Sequence, residues 1–333
     1  MNELPSRRRF IGISAAAAGL AVLPLGVKAS PGQAGELVIW RGLALGAICS
    51  MQIHHTDRAQ AERLIRSVEL EVRRLERLFS LYDQTSALAQ LNRTGFLEAP
   101  APEFVELLTS AQEFSRRTGG AFDVTVQPLW TLYRDHFARD GADPAGPSPK
   151  SVREALARVG YEQLLVGPDR VSLRRGMAVT LNGIAQGFVT DKVVELLRNA
   201  GADHSLVDMG ESRAIGDHPA GRPWDVAIAD PNTPERAAAL IPIVDRALAT
   251  SGPYGFRFDV AGRFNHIFAP STGGCAQNWA SASVVAKNAT AADAFSTACC
   301  LLTEAQIQDR AGAAGAELVL LIDNNGQAKR ITV

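Results

Sequence analysis

One stretch constrains this chain more than any other. Phe264 to Thr297 reads FNHIFAPSTGG, then the strand-like SASVVA, then NATAADAFSTA. The last run is a helix pattern of small residues in which Asp293 and Thr297 stand four apart. On a helix that spacing sets both side-chain oxygens on one face. A carboxylate with a hydroxyl is hard-cation chemistry, suited to magnesium far better than to zinc. Magnesium wants about six oxygens in an octahedron, so backbone carbonyls, water or a ligand's phosphates must complete the set. The same residues admit a plainer use. Thr290-x-x-Asp293 is a capping box, and Thr297 can bond back to the carbonyl four residues earlier. His266 lies upstream, beside the turn Pro270 to Gly273, on an expected strand. It is a candidate base, and equally an ordinary surface or core histidine.

The N-terminus bears on compartment. Ser6-Arg7-Arg8-Arg9-Phe10-Ile11 matches the twin-arginine export pattern, and an apolar stretch follows from Ile11 to Val27. Val27-Lys28-Ala29 suits a signal peptidase, so residues 1–29 read as a signal peptide and the protein as periplasmic. The alternative is an uncleaved anchor, for which this Ala/Gly-rich segment is marginal in length. A formal net charge of −1 argues against a nucleic-acid partner. The four cysteines, Cys49, Cys275, Cys299 and Cys300, contain no CxxC spacing. Cys299 and Cys300 read as small buried hydrophobes, and Cys49 with Cys275 as a pair open to bridging in an oxidising compartment.

Periodicity then divides the chain. Glu36 to His55 alternates as one or two strands. Asp57 to Phe79 carries a helical stripe of Leu64, Ile65, Val68, Val72, Leu75 and Leu78. Ser80 to Asn92 reads as loop, Glu103 to Thr118 as a helix stopped by Gly119-Gly120, and the following GAFDV as a turn into a short extended piece. Residues 140–150 (DGADPAGPSPK) form the clearest linker, a candidate subdomain boundary. Ser151 with Glu154 reads as a capping box opening a short helix. Short strands are expected at 164–166, 171–173 and 178–181, and a helix at 186–199. Strands dominate from Ser205 to Val285, with helices from Ala291 and Glu304 and strands at 317–322 and 328–333. Strands and helices are partly segregated, which argues for α+β and not a doubly wound sheet.

Two further segments could carry chemistry. In LNGIAQGFVTDKV (181–193) a strand ends, a glycine turn follows and a helix starts, offering free N–H groups to an anion. The plainer use of those glycines is a tight turn. Tyr82, in a loop, can stack on a flat ring, and Asp123 of GAFDV can accept hydrogen bonds.

Taken in order, these pieces resemble the ApbE-type FAD:protein FMN transferases, from about Leu45 to the helix holding Cys299. The matching segments are LERLFSLYDQTSALAQLN (75–92), GGAFDVTVQPLW (119–130), LNGIAQGFVTDKVVELLRNAG (181–201), RPWDVAIADP (222–231), ATSGPYGFRF (249–258), NHIFAPSTG (265–273) and ATAADAFSTA (289–298). The resemblance implies an α+β, T-fold-like architecture of largely antiparallel sheets with packed helices, and residues 30–333 as one ApbE-like domain with an FAD cleft between two subdomains. It implies FAD as substrate, Mg²⁺ as cofactor, and transfer of the FMN half onto a Thr or Ser of a target flavoprotein, with AMP leaving. It assigns the metal to Asp293, Thr297, the Ala185 backbone oxygen and the Ser296 carbonyl. It assigns flavin contacts to Leu45, Tyr82, Ala121, Phe122, Asp123, Asn182, Phe188, His266 and Ile267, and the role of base to His266.

Three positions depart from the family pattern. Gln186 stands where Lys is usual, DMGES (208–212) replaces Gly-Gly-Asp with Glu211 as the acidic residue, and Ala269 stands where Asp is common. These resemble a branch linked to nitrous-oxide reductase maturation, whose target is a membrane electron-transfer flavoprotein. They also keep two alternatives in view: a periplasmic FAD-binding or delivery protein, and an FAD pyrophosphatase using water.

Overall fold

The computed structural model describes residues 36–333, so the twin-arginine pattern and the expected cleavage after Ala29 lie outside the described residues. A hairpin comes first. β1 (Glu36–Ala44) and β2 (Ala47–His55) pair antiparallel, with Ala44 opposite Ala47 at the tip. Leu45 and Gly46 between them are both left-handed, at φ 48° and 78°. Such a turn matches the twist of its strands. It suits glycine and costs a leucine roughly 1–2 kcal/mol. The Glu76 carboxylate offsets part of that by accepting the Leu45 N–H at 2.6 Å. Glu76 belongs to α1 (Arg58–Phe79), which Asp57 caps by accepting from the Gln60 N–H. Its inward face holds Val68, Val72 and Leu75, with Leu64, Ile65 and Leu78 packed beside them, so the stripe read from the sequence is the buried one.

The chain continues through α2 (Ala87–Thr94), β3 (Phe96–Glu98), α3 (Pro102–Arg117), a 3-10 turn at Val124–Val126, α4 (Gln127–Phe137) and α5 (Pro149–Leu156). β4 (Leu165–Val166) and β5 (Arg170–Ser172) join β3 in a small sheet. Then come α6 (Ala185–Asn199), β6 (His204–Asp208), β7 (Ser212–Ile215), the hairpin β8 (Trp224–Ala229) with β9 (Ala237–Ile243), and β10 (Ala247–Ser251). β11 (Ser281–Ala286), α7 (Ala289–Cys299), α8 (Glu304–Ala314), β12 (Ala316–Ile322) and β13 (Ala328–Thr332) complete it. The main sheet runs β1-β2-β6-β7-β10-β11-β12-β13, and each neighbouring pair is antiparallel. The α+β architecture with antiparallel sheets is therefore the one observed.

Side chains alternate across a strand, and this sheet uses both faces. Met51, Ile53, Val207, Ala249, Val284 and Val319 face a core shared with Val68, Phe188, Ala292 and Phe295 of α1, α6 and α7. On the other face Leu206, Leu248, Val285 and Leu320 are covered by Trp224, Val226, Ile228, Ile241 and Ile243 of the β8–β9 hairpin. That hairpin's cluster stops short of β1, where Leu37, Ile39 and Leu43 are exposed.

Several local expectations need correction. Residues 80–92 are not all loop: Ser86 accepts from the Ala89 N–H and Gly95 closes left-handed, enough to bound the short helix α2. The piece after Asp123 is helical and not extended, because Asp123 caps the 3-10 turn and Pro128 suits the first turn of α4. Helix α5 starts at Pro149 with Ser148 as its cap, so the Ser151–Glu154 box does not form. Residues 178–181 form no strand; the Val179 N–H goes to the Asn92 side chain and the Thr180 N–H to the Val124 carbonyl. The stretch 256–280 is irregular, stitched by isolated bridges such as Arg257 with Asn265, so His266 sits in a loop and not in a strand. Cys49 and Cys275 are both free: Cys49 is a residue of β2 buried in the main core, while Cys275 packs in a separate cluster around Leu129, Tyr133 and Phe268.

Candidate functional site

The small residues of α7 serve close approach. At Gly187 in α6 a Cβ would stand 2.3 Å from the Ala289 carbonyl oxygen and 2.8 Å from the Asp293 Cβ. The two helices touch backbone to backbone, which only glycine permits. At that crossing the Gly187 N–H donates to Asp293 Oδ2 at 3.0 Å. Asp293 is 2% exposed. It does not cap its own helix, since Asn288 does, accepting from the Ala291 N–H. Thr297, one turn on, has its hydroxyl 3.2 Å from Ser251 Oγ at the end of β10. Ser251 also meets Ser296 Oγ at 2.8 Å, and that hydroxyl reaches the Asp293 carbonyl at 2.9 Å. The Ser296 carbonyl itself accepts the Cys300 N–H. Gly183 completes the face: its Cβ position lies 3.0 Å from Thr297 Oγ1 and 3.4 Å from the Phe122 ring. The turn leading to Ala185, the Phe122 ring and the Asp293–Thr297 face thus meet in one place.

The electrostatics are acidic. Glu211 is 6% exposed. Burial holds its carboxyl well above the usual range, the charges of Asp293 and Asp208 push the same way, and the Thr250 N–H opposes them. Burial likewise pushes Asp293 up to about 7, against the Gly187 hydrogen bond. Asp208 is raised by burial while accepting from the Gly210 N–H and the Ser212 hydroxyl. Among the described residues, no three His, Cys, Asp or Glu side chains converge as a metal centre. Two buried carboxyls within electrostatic reach of each other are nonetheless a charge arrangement that a divalent cation relieves. Oxygen-only donors of this kind fit magnesium. Gln186 brings no charge. Its Nε2 lies buried against Gly210 without a hydrogen-bond partner.

Of the residues expected to touch a flavin, Phe122 meets this face through Gly183, beside Asn182; the others are held by contacts of their own. Tyr82 is 55% exposed, and its side chain hydrogen-bonds that of Asn182, next to Gly183. Leu45 reaches the same end of α1 through Glu76. Ala121 and Phe122 follow the Gly119-Gly120 turn, with the Phe122 N–H held by the Thr118 hydroxyl at 3.1 Å. Asp123 takes three hydrogen bonds from its own chain: the Thr125 N–H and hydroxyl, and the Tyr161 N–H. Phe188 is a core residue, set edge-on to Phe79 with ring centroids 5.6 Å apart. Ile267 is buried in the main core.

His266 is fixed differently. Its Nδ1 lies 3.2 Å from the Phe256 carbonyl oxygen. A carbonyl can only accept, so Nδ1 carries the proton and Nε2 keeps a free lone pair. Burial lowers the imidazole to about 4, with the Phe256 carbonyl pulling the other way, so the ring is neutral near pH 7. Ala269 contributes only backbone, accepting the Gly273 N–H and donating to Gly274.

Two openings lie nearby. A narrow one is lined by Gly210, Glu211, Thr250 and Tyr254. A cleft of about 740 Å³ lies between α3 and α6; of the expected residues it touches only Phe188. Sequence reasoning missed Ser251 and Gly187. A serine closing a strand carries no signal of its own. Gly187 could have been suspected, because a glycine three residues into a helix costs about 1 kcal/mol and so marks a close approach.

A model described as the ApbE family matches residues 45–320. The chain is 31% identical over 259 residues to an FAD:protein FMN transferase of Haemophilus influenzae, covering 74% of each. It is 27% identical over 301 residues to the protein of that name from Escherichia coli K12, covering 86% of this chain and 85% of that one. Among solved structures it resembles an ApbE protein of Thermotoga maritima, with TM-score 0.77, 28% identity, and 89% and 97% of the two chains covered. It also resembles the flavin transferase ApbE from Vibrio cholerae, with TM-score 0.76, 26% identity, and 90% and 97% covered.

Proposed function

The chain belongs to the ApbE family, and on that footing we propose that it transfers the FMN half of FAD onto a Thr or Ser of a target flavoprotein, using Mg²⁺ and releasing AMP. The activity of its named relatives, FAD:protein FMN transferase, supports the flavin chemistry. One observation carries the reading to this chain's own residues. The Asp293–Thr297 face is joined to the Asn182–Gly187 turn by the Gly187–Asp293 hydrogen bond of 3.0 Å and the Gly183–Thr297 contact.

Phosphoryl transfer needs charge neutralisation and in-line positioning more than covalent help. Magnesium held by the Ala185 and Ser296 carbonyls, Asp293 and Thr297 would neutralise charge on the pyrophosphate. The acceptor oxygen attacks the phosphorus of the FMN half, the P–O bond to AMP breaks, and AMP leaves with that bond's electrons. The hydroxyl proton goes to Nε2 of neutral His266, a contribution of roughly a hundredfold or more in rate. Tyr82 with Asn182, Phe122 and Leu45 form the wall against which the flavin ring rests. The twin-arginine pattern at Arg7-Arg8 supports a periplasmic setting for the reaction.

The test combines purified protein, FAD, Mg²⁺ and a Thr-bearing acceptor domain. Covalent flavin on the acceptor, lost with EDTA, is the expected result. AMP with free FMN and no labelled acceptor points to a pyrophosphatase. Unchanged FAD points to a binding or delivery protein. Either of the last two outcomes overturns the reading.

A further inference from the structure

Helix α6 grips α7 at two points, and only one of them is the Gly187–Asp293 bond. One turn further along α6, Asp191 reaches the start of α7. Its Oδ1 accepts the Ala289 N–H at 2.8 Å, and its Oδ2 accepts the Thr290 N–H at 2.9 Å and the Thr290 hydroxyl at 2.6 Å. Arg213 of β7 pairs with the same carboxylate. Both side chains are largely shut in, at 17% exposed for Asp191 and 12% for Arg213.

A helix start needs one good side-chain cap, and α7 has its own in Asn288. A second cap, a carboxylate lent by another helix and held by an arginine from a strand, does more than end a helix. Advancing one turn along α6, from Gly187 to Asp191, corresponds to retreating one turn along α7, from Asp293 to Ala289. The helices are therefore antiparallel, with their register pinned at both turns. Sliding α7 along α6 would break four hydrogen bonds together.

We propose that Asp191, locked by Arg213, is the positioning residue that sets Asp293 and Thr297 against the Ala185 turn at the spacing a small divalent ion demands. The inference rests on the magnesium reading above. Magnesium accepts little error: ligand distances of about 2.0–2.1 Å in a near-ideal octahedron. Apolar packing of alanines specifies that poorly, since Ala289, Ala292, Ala294 and Ala298 offer smooth surfaces with no polar register of their own. Asp191 touches neither metal nor flavin in this assignment. It acts through α7.

The test is Mn²⁺ binding to metal-free protein, followed by the electron-spin signal of free Mn²⁺, without FAD or acceptor. The variants are Asp191→Asn, Arg213→Gln and Thr290→Val. Outer partners of metal ligands typically contribute 10–100-fold in affinity. Asp191→Asn should therefore weaken Mn²⁺ binding at least tenfold and the other two severalfold. FAD affinity at saturating Mg²⁺, read by flavin fluorescence, should stay within about twofold. Wild-type Mn²⁺ affinity in the variants, with only a lower melting temperature, makes Asp191 a plain structural cap and overturns the proposal alone. Wild-type protein that binds no Mn²⁺ overturns the proposal together with the magnesium reading. If Asp191→Asn does not fold, Thr290→Val decides, because it deletes a single hydroxyl contact.

Discussion

Gly187→Ala is the sharpest probe of the crossing that builds the site. The added methyl would stand 2.3 Å from the Ala289 oxygen and 2.6 Å from its carbonyl carbon, where ordinary contact begins at 3.4 Å. Both obstacles are backbone, so neither can swing aside, and the helices must part by about 1 Å. Overpacking of that kind costs roughly 1–3 kcal/mol. The same displacement stretches the 3.0 Å Gly187–Asp293 bond beyond hydrogen-bond range. Losing a buried bond to a charged group costs roughly 1.5–3 kcal/mol more. Alanine returns about 1 kcal/mol in helix propensity. The balance is a loss of roughly 2–5 kcal/mol, or about 3–8 °C in melting temperature for a chain of this size. Calorimetry on metal-free protein measures it, with Gly201→Ala as control. Gly201 is left-handed at φ 79° with open space around its Cβ, so only backbone strain of roughly 1–2 kcal/mol applies there. A Gly187→Ala protein that melts within 2 °C of wild type and binds Mn²⁺ normally would refute the account of the helix crossing.

Other expectations concern titration and the flavin wall. His266 is held down near 4 against an ordinary 6.5, so the unfolded chain binds its proton first. Stability is full above about pH 6.5 and falls as pH drops toward 4, by up to about 3 kcal/mol; His266→Gln should flatten that slope in urea titrations from pH 4 to 7. The same variant should keep FAD binding and lose transfer roughly a hundredfold, and an unchanged rate removes His266 as the base. Asp293 is raised to about 7 from 3.8, so its folded state favours the proton; the stability it contributes is complete below about pH 4 and gone as pH rises through 7. Asp293→Asn should accordingly melt higher than wild type at pH 8 without metal while losing Mg²⁺-dependent turnover; a lower melting point would show that the buried charge is not the cost inferred here. Tyr82→Ala should weaken FAD binding about tenfold and Tyr82→Phe only about twofold, the difference between losing a ring and losing one hydroxyl; equal losses in fluorescence titration would place the effect in the Asn182 bond.

What could be read in the residues was set by local chemistry, and what could not was set by partners far away in sequence. The α1 stripe, the α7 face and the hairpin Glu36–His55 are periodic signals, and they appear where periodicity puts them. Helix α2 escaped because eight residues with three buried hydrophobic positions are too few for a stripe, and its bounds depend on Ser86 and Gly95. The region 178–181 looked like a strand because its residues favour extension, yet its N–H groups are taken by Asn92, 87 positions away for Val179, and by Val124. At the site, Asp293 and Thr297 were visible as a spaced pair. Whether Asp293 caps its own helix was not resolvable from spacing, since the cap is Asn288. Ser251 and Asp191 matter through a strand and a helix folded against α7, and no local pattern announces that.

The main sheet ends unequally. On β13 the outermost strand presents Lys329 and Arg330, charges that discourage another strand from adding. On β1 the rim carries exposed Leu37, Ile39 and Leu43, with nine residues of backbone beside them. A concentrated stock should therefore clump from one side of the molecule. Replacing Ile39 with lysine should make it keep on the bench without touching anything near α7.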